Sequence, residues 1–264
     1  MSPTNAVVVK WAVKVANWSP STEEFKAALS EIQTDEHEKV LKFMLPVDRK
    51  RALVGRLLAK RLILHFFPDQ RWDQVRLSRT EYQKPFWAPG LQMSPAFHFN
   101  YSHHGDWVVI SGHLGGPIGV DVTNTICPSN TTVEAYLGDF KSFFSTREWQ
   151  KIRAGNPSEA TLMHRFACHW CLKESYTKAL GVGLGLDFWK VEFLYDGLLS
   201  LDEPLQSRIS VYVNGALQPG WIFELGSVDA THPVCVAYSG SEGVDAASRS
   251  PSPFVVKDIC DLLS

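Results

Sequence analysis

The sequence predicts a mixed helix-and-strand protein built in two parts, and three observations lead there. Apolar residues make up 45% of the 264-residue chain, enough to bury a sizeable core as one large domain or two small ones. β-Branched stretches alternate with stretches of helical periodicity, and no unit repeats. Between "FNYSHHGDWVVISG" and "IGVDV" stands the Gly/Pro joint "HLGGP", which divides the chain near residue 115. The expected layout is an N-terminal half over 1–115, a C-terminal half over 116–240, and a linker and tail over 241–264.

Each element has its own signal. "AVVVKWAVKV" carries the β-branched density of a buried strand. At "STEEFKAALSEI" a Ser/Thr followed by Glu marks a helix start at Ser21. "DRKRALVGRLLAKRLILHFF" sets Leu and Ile at helical spacing among Arg49, Lys50, Arg51, Arg56, Lys60 and Arg61. It reads as an amphipathic helix with a solvated or anion-facing basic side. Short strands follow in "QVRLSRTEYQKPFW", "FHFNYSHHGDWVVISGHL" and "PIGVDVT". A second helical region runs from about Val133 to Leu180, interrupted near "AGNPSE". Strands return in "FWKVEFLY", "RISVYVNG", "GWIFELGSV" and "PVCVAYS". A Ser/Gly/Pro-rich linker follows Ser239, then a short amphipathic "FVVKDICDLL".

Composition excludes several classes. Charges nearly cancel, 26 Lys+Arg against 28 Asp+Glu, so the chain as a whole is no nucleic-acid binder by charge. No apolar run approaches the length of a membrane span. The N-terminus lacks the pattern of a secretory signal, and five Cys, an odd number, read as reduced thiols. A cytoplasmic location is expected, with the triplets at Asn17, Asn100 and Asn130 unglycosylated.

The densest chemistry lies in "LMHRFACHWCLKESYTKAL". Cys168 and Cys171 form a Cys-x-x-Cys pair, but inside a helical pattern and among Phe166, Trp170 and Leu172 they read as small core residues. His164 shares their face and makes zinc the sharper rival, without a second Cys/His pair to complete a tetrahedron. "GVGLGL" follows the helix instead of opening it, so it reads as a C-terminal glycine cap and not a dinucleotide turn. Lys173, Glu174 and Lys178 remain. Glu174 and Lys178, at i and i+4, would alone be an ordinary surface pair. Asp121 changes that reading, because "GVDV" sets a carboxylate in an apolar strand, where burial demands a partner. A divalent cation held by Asp121 and Glu174 would meet the demand, and Mg²⁺ is commonly held by two carboxylates, water and phosphate oxygens. Lys178, one turn on, could reach the same phosphates.

"IGVDV" and, about fifty residues on, "WCLKESYTKALGVGL" resemble the two motifs of the 4'-phosphopantetheinyl transferases of the surfactin-synthetase-activating (Sfp) and aminoadipate-semialdehyde-dehydrogenase type. "RTEYQKP" and "FNYSHHGDW" resemble that family's substrate-binding segments in the expected order, and the likeness spans about Lys39 to Leu186. The resemblance implies an α+β fold of two similar halves related by a pseudo-two-fold, with coenzyme A in the cleft between them. It implies Mg²⁺-dependent transfer of the phosphopantetheine arm of coenzyme A to a Ser of an apo carrier protein, releasing adenosine 3',5'-bisphosphate. Such a holo-acyl-carrier-protein synthase would act as a cytoplasmic monomer on carriers of fatty acid, polyketide, peptide or aminoadipate pathways.

By the same resemblance, Asp121 and Glu174 match the metal ligands and Glu174 the candidate base, while Lys178 matches the pyrophosphate-binding Lys. The stretch from Arg79 and Thr80 to Lys84 and Pro85 matches the segment around the nucleotide. Asn100, Ser102 and His103 match a turn that meets the coenzyme A phosphates, with His104 left without a role, and Lys39 matches a basic residue for the 3'-phosphate. Three positions depart from the family pattern. Thr123 stands where many relatives have a third carboxylate, which leaves water as the third metal ligand. Gln83 replaces the Gly of "GKP". Lys39 replaces an Arg, so the phosphate contact loses its bidentate fork. The basic helix from Arg49 to Arg61 is expected to steer acidic carrier helices. The rival reading, a module that binds coenzyme A or a carrier without catalysis, would tolerate loss of Asp121 or Glu174, and both are present.

Overall fold

The computed structural model describes residues 8–87, 96–199, 209–239 and 252–263. The chain divides into two units, Met1–Gly115 with Pro253–Ser264, and Gly116–Ser252.

In the first unit, strand β1 (Val9–Lys14) buries its four central residues. Helix α1 (Thr22–Ser30) starts at a capping box: the Glu24 N–H donates to Ser21 Oγ at 3.2 Å and the Ser21 N–H to Glu24 Oε2 at 2.7 Å. Helix α2 (His37–Leu41) is short, and α3 (Pro46–Phe66) opens on a proline, whose missing N–H has no partner to lose there. Strands β2 (Leu77–Arg79) and β3 (Pro85–Trp87) form a small hairpin. A longer hairpin joins β4 (Phe97–His104) to β5 (Trp107–Leu114) through a two-residue turn with Gly105 at φ 52°. β5 pairs antiparallel with both β1 and β4, and α3 lies over one face of this sheet. Leu53, Leu57 and Ile63 pack there against Val13, Phe99 and Ile110.

The basic side of α3 is only partly solvated. Lys50 donates to the carbonyls of Val15 and Trp18, Arg51 to that of Gly105, and Arg49 to that of Phe43. Arg56 and Lys60 are buried, on Glu36 and on the Glu31 carbonyl, and Arg61 donates to the Leu262 carbonyl. Long basic stems cover apolar surface while their heads find oxygen acceptors in neighbouring loops. Two of the six cations, Arg56 and Lys60, are thereby taken into the interior, and the other four are tethered at a partly exposed surface.

In the second unit, β6 (Ile118–Val122) is buried throughout. Helices α4 (Val133–Asp139), α5 (Thr146–Ile152) and α6 (Glu159–Leu180) follow. Gly155 and Asn156, at φ 75° and 50°, break the region between α5 and α6. Gly181, at φ 70°, ends α6 as a left-handed cap. Strands β7 (Val191–Leu194), β8 (Ser210–Val213) and β9 (Ala216–Leu217) make a small sheet. β10 (Trp221–Asp229) and β11 (His232–Ser239) form a hairpin, and β11 returns to pair antiparallel with β6. α6 packs on β6 and β11.

The end of the chain belongs to the first unit. β12 (Val255–Val256) pairs parallel with β1, and α7 (Cys260–Leu263) buries Leu262 in the core under α3. Most of the Ser/Gly/Pro-rich stretch, residues 240–251, lies outside the described residues. No helix among the described residues is long and apolar enough to cross a membrane.

Candidate active site

In the second unit, one glycine decides how closely helix and strand approach. A Cβ on Gly119 would stand 2.1 Å from the Ser175 carbonyl oxygen and 2.3 Å from the Ala179 nitrogen, so β6 touches the backbone of α6. Strand alternation puts Asp121 on the same side as Gly119, and it meets α6 where Glu174 and Lys178 stand one turn apart. Lys178 Nζ donates to Asp121 Oδ1 at 2.5 Å. Burial pushes the Glu174 carboxyl above its ordinary range; Lys178 opposes that and Asp121 adds to it. Burial alone would lower the Lys178 ammonium, but the charges of Asp121 and Glu174 outweigh it and hold the group above its usual value.

Two carboxylates against one ammonium leave one excess negative charge, which a divalent cation would turn to a single positive one facing an anionic substrate. This donor set fits Mg²⁺, with water and substrate oxygens filling the remaining positions. Thr123 follows β6, its N–H donating to the Pro233 carbonyl at 3.2 Å. Among the described residues no group of three or more His, Cys, Asp or Glu is placed to hold a metal.

The first unit gathers a second cluster around Glu36, a carboxylate only 2% exposed. Arg79 binds it through Nε at 3.1 Å and a terminal nitrogen at 2.6 Å, Arg56 through Nε at 2.8 Å, and Lys39 through its ammonium. Burial opposes ionisation of Glu36, yet the hydrogen bonds from Arg79 and Lys39 and the charge of Arg56 outweigh it and bring the carboxyl down to about 2. The third arm of Arg79 donates to the Gln83 carbonyl at 3.1 Å. Gln83 holds φ 65°, a left-handed conformation natural to the Gly it replaces.

Thr80 closes the same loop: its N–H donates to the Lys84 carbonyl at 2.9 Å and its Oγ1 accepts from the Lys84 N–H at 3.1 Å. Pro85 then pairs with Arg79 across the hairpin. Burial lowers the Lys84 ammonium to about 8, and burial with the Lys84 charge lowers His98.

"NxSH" is not a turn. Asn100, Ser102 and His103 are residues of β4, and the turn comes later, at Gly105 and Asp106. Alternation sends buried Asn100 and Ser102 to one face, and Tyr101 and exposed His103 to the other. Tyr101 lies over α3, where a Cβ on Gly55 would meet its ring at 3.0 Å, and it interacts with Arg79.

Residues 16–115 match the family described as "4'-phosphopantetheinyl transferase, N-terminal", and residues 117–235 match the "4'-phosphopantetheinyl transferase superfamily". The chain is 34% identical over 265 residues to the L-aminoadipate-semialdehyde dehydrogenase-phosphopantetheinyl transferase of Mus musculus, covering 97% of this chain and 85% of that protein. The chain belongs to the 4'-phosphopantetheinyl transferases. Other members similar to it are a phosphopantetheinyl transferase of Thraustochytrium sp., 36% identical over 92% of this chain and 83% of that one, and Sfp of Bacillus subtilis, 33% identical over 81% and 88%.

In this transferase the Cys pair is core. Cys168 and Cys171 are 3% and 0% exposed, burial pushes both thiols up, and Cys171 Sγ donates to the Pro233 carbonyl at 3.4 Å. Cys168 Sγ lies 3.4 Å from His164 Nε2. Lys173, beside Glu174 in sequence, is fully buried on Glu148 at 3.0 Å and donates to the carbonyls of Phe188 and Val191. It anchors α6 to α5 and to the start of β7.

Sequence reasoning passes over Glu36, Tyr101 and Gly119, and reads Arg56 as surface charge. Only Gly119 carries a local signal, since a glycine inside an apolar strand marks a close backbone approach.

Proposed function

We propose that this transferase moves the 4'-phosphopantetheine arm of coenzyme A to a serine of an apo carrier protein, with Mg²⁺, releasing adenosine 3',5'-bisphosphate. The observation that carries the reading is the meeting of Asp121, Glu174 and Lys178 where β6 touches α6, in a chain whose relatives are named for this transfer. Asp121 and Glu174 would hold the metal, which when bound would stabilise charge on the phosphoryl oxygens.

The serine oxygen forms a bond to the β-phosphorus, and the bond from that phosphorus to the bridging oxygen breaks. Glu174 accepts the serine proton, and a bound metal would keep its carboxylate ionised for that role. Lys178, on the same helix face, stabilises charge growing on the departing bisphosphate. Lys39, Arg79, Thr80, Lys84, Pro85, Asn100, Ser102 and His103 are the residues of the first unit assigned to the nucleotide end.

Apo carrier protein incubated with the enzyme, coenzyme A and Mg²⁺ should gain the mass of one phosphopantetheine. Binding of coenzyme A without that gain would establish the non-catalytic module instead. Of the α3 cations, Arg56 and Lys60 are buried, so the partly exposed Arg49, Lys50, Arg51 and Arg61 would be the ones to steer an acidic carrier.

A further inference from the structure

The geometry points to Glu36 as a positioning residue for the coenzyme, a buried carboxylate that gathers Lys39, Arg56 and Arg79 into a site for a phosphate monoester. The inference rests on the proposed transfer from coenzyme A and concerns how its nucleotide end is recognised.

Charge carries it. Three cations on one carboxylate leave a net charge of +2, from three positive groups less one negative. Burying charge costs free energy unless it is balanced, so an unbalanced excess is a poor device for stability alone. A dianionic phosphate monoester balances it. Exposure is graded in the direction a ligand would need: the side chains of Glu36, Arg56, Arg79 and Lys39 are 2%, 7%, 17% and 43% exposed. Arg56 is fixed behind by the Ala52 carbonyl and Arg79 is fixed by the Gln83 carbonyl. Lys39, the most exposed cation, is held by Glu36 one helical turn before it. Tyr101, which interacts with Arg79, shares its face of β4 with His103. Glu36 therefore acts through the cations it aims and need not touch the coenzyme.

Glu36→Gln keeps the shape of the side chain and removes its charge. KM for coenzyme A should rise about tenfold, with kcat at saturation within about twofold. KM for dephospho-coenzyme A, which lacks the 3'-phosphate, should stay unchanged. Glu36→Asp should recover part of the preference. A folded Glu36→Gln variant with the wild-type ratio of the two KM values, or with tighter binding of adenosine 3',5'-bisphosphate, would overturn the assignment. If Glu36→Gln does not fold, Glu36→Asp is compared in the wild-type and Lys39→Met backgrounds. The preference lost on Glu36→Asp should shrink when Lys39 is absent, and an equal loss in both backgrounds would overturn the proposal. Failure of wild-type enzyme to transfer from coenzyme A would instead count against the transfer reading itself.

Discussion

Lys178 and Asp121 stand 2.5 Å apart, and Glu174 is close enough for both to act on its proton affinity. Removing either carboxylate takes a metal ligand from the proposed site and spares the apolar core. Asp121→Ala and Glu174→Ala should each lower transfer by about 10²-fold or more, with far-UV circular dichroism unchanged. Wild-type activity should vanish in excess chelator and return with Mg²⁺; full activity without any divalent cation would defeat the metal assignment. Glu36 makes a different prediction, on stability. Its carboxyl lies at about 2 against an ordinary 4.5. At about 1.4 kcal/mol per tenfold change in proton affinity, that depression is worth roughly 3–4 kcal/mol. A depressed carboxyl contributes its stability above the unfolded value and loses it as pH falls through the folded one. The loss should therefore run from about pH 4.5 down to about pH 2, and Glu36→Gln should flatten that limb of urea denaturation against pH.

At the scale of elements, the site depends on how closely β6 and α6 approach. A methyl group on Gly119 would overlap backbone atoms of α6, which cannot rotate away as a side-chain end could. Gly119→Ala should cost about 3 kcal/mol or more and separate Asp121 from Lys178. Activity should then fall further than the loss of folded protein explains, measured as transfer per folded molecule. Unchanged stability and activity would show that the helix can shift without consequence. Lys173 holds α6 from another side through Glu148, so the register of Glu174 is set by contacts to β6, α5 and β7 together.

For the whole molecule, the last residues of the chain complete the first unit. β12 adds to β1, and Ile259 and Leu262 enter the core beneath α3. Each buried aliphatic side chain contributes roughly 1.5–3 kcal/mol. Deleting 253–264 should cost the first unit about 4 kcal/mol and lower its urea midpoint; an unchanged midpoint would show that the tail is dispensable.

The sequence by itself determined the family, because four motifs in order leave little freedom. It also determined the helix start at Ser21, the glycine cap after Leu180, the buried first strand and the core setting of the Cys pair. These are local properties, carried by side chains within a turn or two of one another. The fate of charges was decided only by tertiary structure. A run of Arg and Lys has the same periodicity whether its heads meet solvent or the carbonyls of distant loops. The strand pattern around "NxSH" was legible, and pairing with β5 shows that it holds through His104, where the resemblance implied a turn. Glu36 finds Arg56 across 20 positions and Arg79 across 43. Hydrophobic and helical periodicities are short-ranged, whereas an ion pair needs only proximity in space, which the path of the whole chain supplies.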